Sequence, residues 1–296
     1  MIEDKFVDLY AANSKVPVGI ARQEIILTYA LALLNESGLL GRLAFKGGTC
    51  LRKVFFGKQY RFSEDLDFTA LKNGKPESLL REIREAFSSP FHDISFHNVE
   101  GSERITPGGI GIQFEYRTQS ATGAFDLEAS FRAEPVLQIS RRPLEKQSYF
   151  KQLEVPVPAV HSLAFEEIVS EKIRATFQRT RPRDVYDLYF CFQRPINLQQ
   201  LKGVVLIKCW QVRDPFDVDR FLGNLHSTKY NWEELDNLLP KGGRPGAEKM
   251  IRLIESKVNM FRNLSEEEKG IIGDSKRHQS RKLVETTIAR LQHLDK

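Results

Sequence analysis

The chain has 296 residues, a formal net charge of +5 and a pI near 9.0, with 41% apolar and 28% charged residues. This is ordinary for a soluble globular protein of one or two domains, and long enough to bury a sizeable core without staples. The three cysteines, Cys50, Cys191 and Cys209, are odd in number and widely spaced. That argues against a disulfide framework or a zinc cluster and fits a reduced, cytoplasmic setting. The N-terminal MIEDKFVDLY has no basic head followed by an apolar run. The most apolar stretch, around 20–40, is broken by Arg22, Glu24 and Glu36, so neither a targeting segment nor a membrane partner is expected. The basic balance favours a polyanionic partner, weakly.

In chain order, residues 18–37 read as an amphipathic helix ending at Gly38, and 42–46 as a short strand leading to Gly47-Gly48. Residues 49–56 read as a helix, 64–70 as an alternating strand, and 76–88 as a helix with proline in its first turn. Strands are expected at 93–99, 110–117 and 124–132. Ile110, Ile112, Phe114 and Tyr116 share one face of the second. Phe125, Leu127, Ala129 and Phe131 share one face of the third, with Asp126, Glu128, Ser130 and Arg132 opposite. Pro156 and Pro158 mark a connector. Beyond it the pattern is helical, at about 162–179, 183–193, 197–211, 215–224, 231–239, 245–262 and 275–294. The predicted domains are 1–157 and 158–296.

The chemistry-bearing stretch is Phe45-Lys46-Gly47-Gly48-Thr49, followed by Arg61-Phe62-Ser63-Glu64-Asp65-Leu66-Asp67-Phe68. Nucleotidyl transfer asks for divalent ions that bridge the phosphates and activate a hydroxyl. Magnesium is usually held by one or two carboxylates plus phosphate oxygens. Asp65 and Asp67, two apart on a strand, project from one face, while Leu66 and Phe68 turn to the core. A third carboxylate would complete the set, and both Asp126 and Glu128 lie on the polar face of the later strand. Glycines allow close approach to a phosphate and positive φ. The helix after them offers free N–H groups, and Thr49 could add a hydroxyl. The lysine precedes the glycines, so this is not a Walker loop. Taken singly, a Gly-Gly pair is usually only a turn, and an isolated pair of aspartates usually a solvated edge. The ordering of strand, Gly-Gly-Thr and helix, with S-E-D-L-D-F about sixteen residues later, is the informative signal.

These residues resemble a family. F-K-G-G-T-C-L-R-K-V-F-F with R-F-S-E-D-L-D-F resembles the AbiEii/AbiGii nucleotidyltransferase toxins of type IV toxin–antitoxin systems, which include the MenT toxins. F-D-L-E-A-S-F-R resembles the family strand that ends in an acidic residue, a small residue and Phe-Arg, and on that alignment Glu128 takes the third carboxylate position. E-E-I-V-S-E-K-I-R-A and R-P-R-D-V-Y-D-L-Y resemble two helical motifs of the family. The resemblance covers about residues 20–195. It implies an α+β fold, with an N-terminal polymerase-β-like mixed-sheet core and a C-terminal helical domain. It implies transfer of a nucleoside monophosphate from an NTP to RNA, the tRNA 3′ end, with Mg2+ or Mn2+ held by Asp65, Asp67 and Glu128. It further implies blocked aminoacylation and a cognate antitoxin.

Several residues carry two readings. Lys172 could hold a triphosphate oxygen as a point charge, with Asp184 orienting Lys172 or Arg183; the bland alternative is surface ion pairing between two helices. The resemblance favours function for Lys172 and Asp184 and leaves Asp187 open. Ser63 could position metal or phosphate, or satisfy local backbone at a strand start. Arg61 could meet a phosphate or the protein's own carboxylates, and Lys46 could touch the triphosphate or be solvated. The six histidines lack ligand spacing, and Trp210 and Trp232 read as core. Lys276-Arg277-His278 with Arg281-Lys282 is the candidate extended RNA surface. Competing functions are transfer to a small molecule or a protein, and an inactive nucleotidyltransferase fold used for binding, against which the three retained carboxylates argue.

Overall fold

A computed structural model describes residues 3–71, 74–241 and 243–294. The first long helix is α2 (Val18–Glu36), preceded by α1 (Asp4–Ser14), which the sequence pattern did not suggest. The amphipathic expectation for α2 is wrong, because every residue from Ala21 to Leu34 is buried. A helix buried all round must satisfy its polar side chains internally. Arg22 pairs with Asp4 at 2.8 Å. Gln23 donates to the backbone carbonyls of Glu64 and Ala124 at 3.1 and 3.0 Å. Glu24 lies 3.0 Å from Arg52 and 2.9 Å from Lys53, with all three side chains at most 2% exposed.

Strand β1 (Leu43–Lys46) runs into α3 (Gly47–Cys50), so the glycines form a helical turn instead of preceding one. The turn continues as a π-helical stretch, Leu51–Phe56. Then follow β2 (Leu66–Ala70), α4 (Pro76–Ala86), β3 (Ser95–Asn98), β4 (Arg104–Thr106), β5 (Gly109–Arg117), β6 (Thr122–Ser130), β7 (Ser140–Pro143) and β8 (Ala159–Ser162). They form one mixed sheet in the order β3-β5-β6-β2-β1-β8-β7, with β4 also on β5. β2 is parallel to β6 and antiparallel to β1; β8 is parallel to β1. The alternation read from the sequence holds on the β5–β6 hairpin. Ile110, Ile112, Phe114, Phe125 and Leu127 are buried, and Phe87 from the end of α4 stacks on Phe114 at 4.4 Å. Strands β4, β7 and β8 were not anticipated, because three or four residues give no period to count. The expected connector at Pro156 and Pro158 leads directly into β8.

Two compact units result. One comprises Met1–Glu134, Ile139–Ser162 and Leu238–Gly242; the other comprises Pro135–Gln138, Leu163–Asn237 and Gly243–Lys296. The division is therefore discontinuous, with β8 kept in the sheet unit, instead of a single cut at 157. The second unit holds α5 (Phe165–Gln178), α6 (Pro182–Cys191), α7 (Leu198–Gln211), α8 (Val218–Leu225), α9 (Glu233–Asp236), α10 (Ala247–Val258), α11 (Glu266–Asp274) and α12 (Arg281–His293). The final helix expected at 275–294 starts only at Arg281. A capping box, Ser265 with Glu268, opens α11. The Asp274 carboxylate then accepts from the backbone N–H groups of Gln279 and Ser280, turning the chain into α12. Among the described residues no single helix is long and apolar enough to cross a membrane.

Burial alone would raise the Glu24 carboxyl, yet Arg52 and Lys53 hold it below the ordinary 4.5 of a glutamate. Glu24→Ala leaves two buried cations without their anion and is expected to cost about 3–5 kcal/mol in urea unfolding. Because the folded value lies below the unfolded one, the triad's contribution is complete above pH 4.5 and is lost as acid carries the pH through the folded value. In wild type, stability should fall in that acid window, and Glu24→Gln should flatten the fall. Equal acid sensitivity in both proteins would exclude the triad as its source.

Candidate active site

The site face follows from register. Lys46 on β1 pairs with Asp67 on β2, and Asp67 with Glu128 on β6. Glu128 pairs in turn with Gly111 on β5, and Gly111 with Arg104 on β4. Register partners project to the same side, on strands roughly 4.8 Å apart, so one row crosses the sheet with two adjacent carboxylates near its centre. Asp126 shares the Glu128 face but stands opposite Gln113, two residues along the strand. Face alone does not separate the two candidates for the third carboxylate; the row does, since Glu128 is the one beside Asp67.

The glycine pair serves this row by absence of side chain. Gly47 has φ +75, and a Cβ there would lie 2.2 Å from the Asp67 carboxylate; a Cβ at Gly48 would lie 2.3 Å from the Arg61 guanidinium. Arg61 is buried and donates to the Phe62 carbonyl at 3.0 Å. The Gly-Gly turn thus admits one carboxylate and one guanidinium from the strand and its approach, a close-packing role beyond the phosphate approach expected of it.

Asp65 lies one residue before β2 and is half-buried, so strand alternation does not fix its direction. Its backbone carbonyl accepts from the Thr49 hydroxyl, which also meets the Ser63 hydroxyl at 2.6 Å. Thr49 is fully buried and Ser63 nearly so. Thr49 and Ser63 therefore do not stand as open phosphate contacts. They tie α3 to the segment that delivers Asp65 and Asp67.

A shallow pocket of about 200 Å³ opens along the row. It is lined by Lys46, Asp67, Arg104, Gly111, Glu128 and Arg132, among others. Arg104 donates to Glu128 at 2.8 Å, with both side chains more than half exposed, so the pair is worth only about 0–1 kcal/mol. The sequence reading missed Arg104; its signal was the glycine-rich run 108–111 at the turn into β5, which marks a close approach. Hard carboxylate oxygens in adjacent positions suit a magnesium-type ion completed by phosphate oxygens. No ready-made cage of three or more His, Cys, Asp or Glu occurs among the described residues. The donor set thus fits an ion shared with substrate, not a closed structural site.

Lys172 on α5 is held by two aspartates of α6, at 3.3 Å from Asp184 and 2.7 Å from Asp187. Arg179 also contacts Asp184 at 2.8 Å. Burial would raise the Asp184 carboxyl, but Lys172 and Arg179 hold it below its usual value. Asp184 thus pairs with both Lys172 and Arg179, and Asp187 is a second, closer carboxylate on the lysine. The three cysteines are buried, and burial pushes the Cys209 thiol up to about 12, which disfavours a thiolate nucleophile. Of the basic C-terminal stretch, Lys276, Arg277, Arg281 and Lys282 are exposed. His278 is instead stacked on Trp210 at 3.9 Å.

The family profile described as the nucleotidyl transferase AbiEii toxin of type IV toxin–antitoxin systems matches residues 29–263. Among solved structures, MenT4, a nucleotidyltransferase toxin from Mycobacterium tuberculosis, superposes with a TM-score of 0.82. Its identity is 21%, over 99% of this chain and 100% of that one. JHP933 from Helicobacter pylori reaches a TM-score of 0.50 at 21% identity, over 90% of this chain and 97% of that one. At such identities the likeness is one of fold. No curated protein sequence matches significantly.

The Lys172 geometry changes what its removal should do. The lysine side chain is 12% exposed, between carboxylates at most 2% exposed. Lys172→Ala is therefore expected to destabilise the fold by about 3–5 kcal/mol in urea unfolding. A loss below 1 kcal/mol would mean that water reaches the two aspartates.

Proposed function

The chain belongs to the AbiEii nucleotidyl transferase toxin family of type IV toxin–antitoxin systems, and from that premise we propose that it transfers a nucleoside monophosphate from an NTP to the 3′ end of tRNA in the cytoplasm, blocking aminoacylation and hence translation. A toxin of this class has an antitoxin partner and a nucleotide substrate. The observation that carries the reading is the carboxylate row, with Asp67 seated against Gly47 and Glu128 beside it on the next strand. The net charge of +5 supports a polyanionic acceptor.

In this reading Asp65, Asp67 and Glu128 would hold Mg2+ or Mn2+ together with the NTP phosphates. An ion held there would supply Lewis-acid stabilisation of phosphate charge and lower the pKa of the attacking hydroxyl. Thr49 and Ser63 keep the Asp65–Asp67 segment in place, and Gly47 leaves room for the Asp67 carboxylate. The acceptor 3′-hydroxyl oxygen forms a bond to the α-phosphorus. The bond from that phosphorus to the bridging oxygen breaks, pyrophosphate leaves with the electron pair, and the hydroxyl proton passes to a carboxylate of the row. Lys46 sits beside Asp67 in register and steadies the nucleotide. Lys172, held by Asp184 and Asp187, is the cation that the family resemblance favours for a triphosphate oxygen, and a fixed cation in that role would stabilise charge that grows as pyrophosphate departs.

Incubating the protein with labelled NTPs, magnesium and total tRNA tests this. Label should appear on RNA and vanish when periodate has destroyed the terminal diol. Asp67→Ala should lower transfer at least about a hundredfold, or roughly 2.7 kcal/mol of barrier. Its unfolding midpoint should stay nearly unchanged, because Asp67 is partly exposed. Label found only on protein or a small molecule would overturn the RNA acceptor. Transfer by Asp67→Ala within about tenfold of wild type would overturn the role of this carboxylate.

A further inference from the structure

Resting on the nucleotidyltransferase reading of the carboxylate row, we infer that the pocket beside Glu128 is a phosphate subsite whose cations are Arg104 and Arg132, and that Arg104 rests on Glu128 until a phosphate draws it away. The pocket is lined by three cations, Lys46, Arg104 and Arg132, and two carboxylates, Asp67 and Glu128.

Its floor is bare backbone. A Cβ at Gly111 would stand 2.9 Å from the Arg104 guanidinium. One at Gly108 would stand 2.7 Å from the Arg132 side chain, and one at Gly109 would stand 2.9 Å from the Ala129 carbonyl oxygen. Glycine weakens a strand unless something must come close, and here two arginine side chains do. Gly109 and Gly111 pair with Ser130 and Glu128 and so share the carboxylate face. Arg104 is fixed opposite Gly111 by the β4 pairing. Guanidinium groups laid over such a floor present planar forks of N–H donors, which match phosphate oxygens in pairs.

The two arginines differ in state. Arg132 forms no ion pair among the described residues. Arg104 is engaged with Glu128 at 2.8 Å, but both are more than half exposed, so exchange to a phosphate is cheap. While Arg104 occupies Glu128, that carboxylate is partly withheld from a divalent ion. A phosphate that takes Arg104 releases it, so phosphate and divalent cation bind with positive coupling, each raising the other's affinity by the same factor. The phosphate comes either from the nucleotide or from the RNA backbone.

The probes are inorganic triphosphate, a single-stranded oligoribonucleotide, and Mn2+ followed by spin resonance, applied to wild type, Arg104→Ala, Arg132→Ala and Gly111→Ala. Triphosphate or oligoribonucleotide should bind about tenfold more weakly to the two arginine variants. Mn2+ alone should bind Arg104→Ala more tightly than wild type, and added triphosphate should no longer strengthen it. Gly111→Ala should shift Mn2+ affinity in the same direction as Arg104→Ala but by less, since the atoms nearest its new Cβ belong to the Arg104 guanidinium, which must move aside. Loss confined to triphosphate assigns the nucleotide as the source. Loss confined to RNA, with a salt slope lower by about one per arginine, assigns the acceptor backbone. Unchanged affinity for both probes in both arginine variants overturns the subsite. Nucleotide transfer by wild type is measured alongside: transfer with unchanged binding overturns the subsite alone, and lost binding without any transfer overturns the enzymatic reading alone.

Discussion

Glu24 has no water. Its carboxylate is fully buried on a helix that is itself buried from Ala21 to Leu34, and an uncompensated charge there would be prohibitive. The compensation comes from Arg52 and Lys53, which follow the glycine turn. That requirement fixes where the π-helical stretch can lie against α2. Arg52 also spans to the approach of the next strand, with its guanidinium 3.6 Å over the Phe62 ring and a hydrogen bond to the Tyr60 carbonyl. Gln23, one residue before Glu24, holds the carbonyls of Glu64 and Ala124. Two consecutive polar residues of one buried helix therefore tie down the glycine turn and the entries to β2 and β6.

With those entries fixed, sheet pairing does the rest. β2 lies between an antiparallel neighbour and a parallel one, and the register sets Lys46, Asp67 and Glu128 side by side. The spacing is rigid because slipping β6 by one residue would turn Leu127 outward and bury Glu128. Glycines at 47, 48, 108 and 111 then leave out a Cβ that would crowd Asp67, Arg61, Arg132 and Arg104, and Gly109 clears the Ala129 carbonyl. Like charges brought together in this way carry a repulsion that a cation relieves. Arg104 supplies that cation at Glu128.

The helical unit repeats the rule with different residues. Glu167 is buried with Lys208 at 2.5 Å and also accepts from the backbone N–H groups of Val136 and Leu137. Lys172 is clamped by Asp184 and Asp187 in the same manner. A lysine so held is both a structural counter-ion and a preorganised cation. A change at this position therefore moves stability, whatever it does to activity, and the two must be measured separately.

The local sequence determined what local physics controls. The alternation of Phe125, Leu127 and Ala129 against Asp126 and Glu128 announced a half-buried strand. F-K-G-G-T with S-E-D-L-D-F announced the family through its resemblance, and the mixed-sheet α+β class followed. The sequence could not say that α2 is buried on every side. Arg22, Gln23 and Glu24 look like solvated residues until their partners, Asp4, Glu64, Ala124, Arg52 and Lys53, are brought in from distant parts of the chain. It could not turn Thr49 and Ser63 inward, or add the strands β4, β7 and β8, whose existence rests on pairing and not on their own pattern. Nor could it choose Glu128 over Asp126 without the family, since both share a face. Only register across the β2–β6 pair puts one of them beside Asp67, and register is a property of two strands more than fifty residues apart in the chain, set by how the sheet closes over its core.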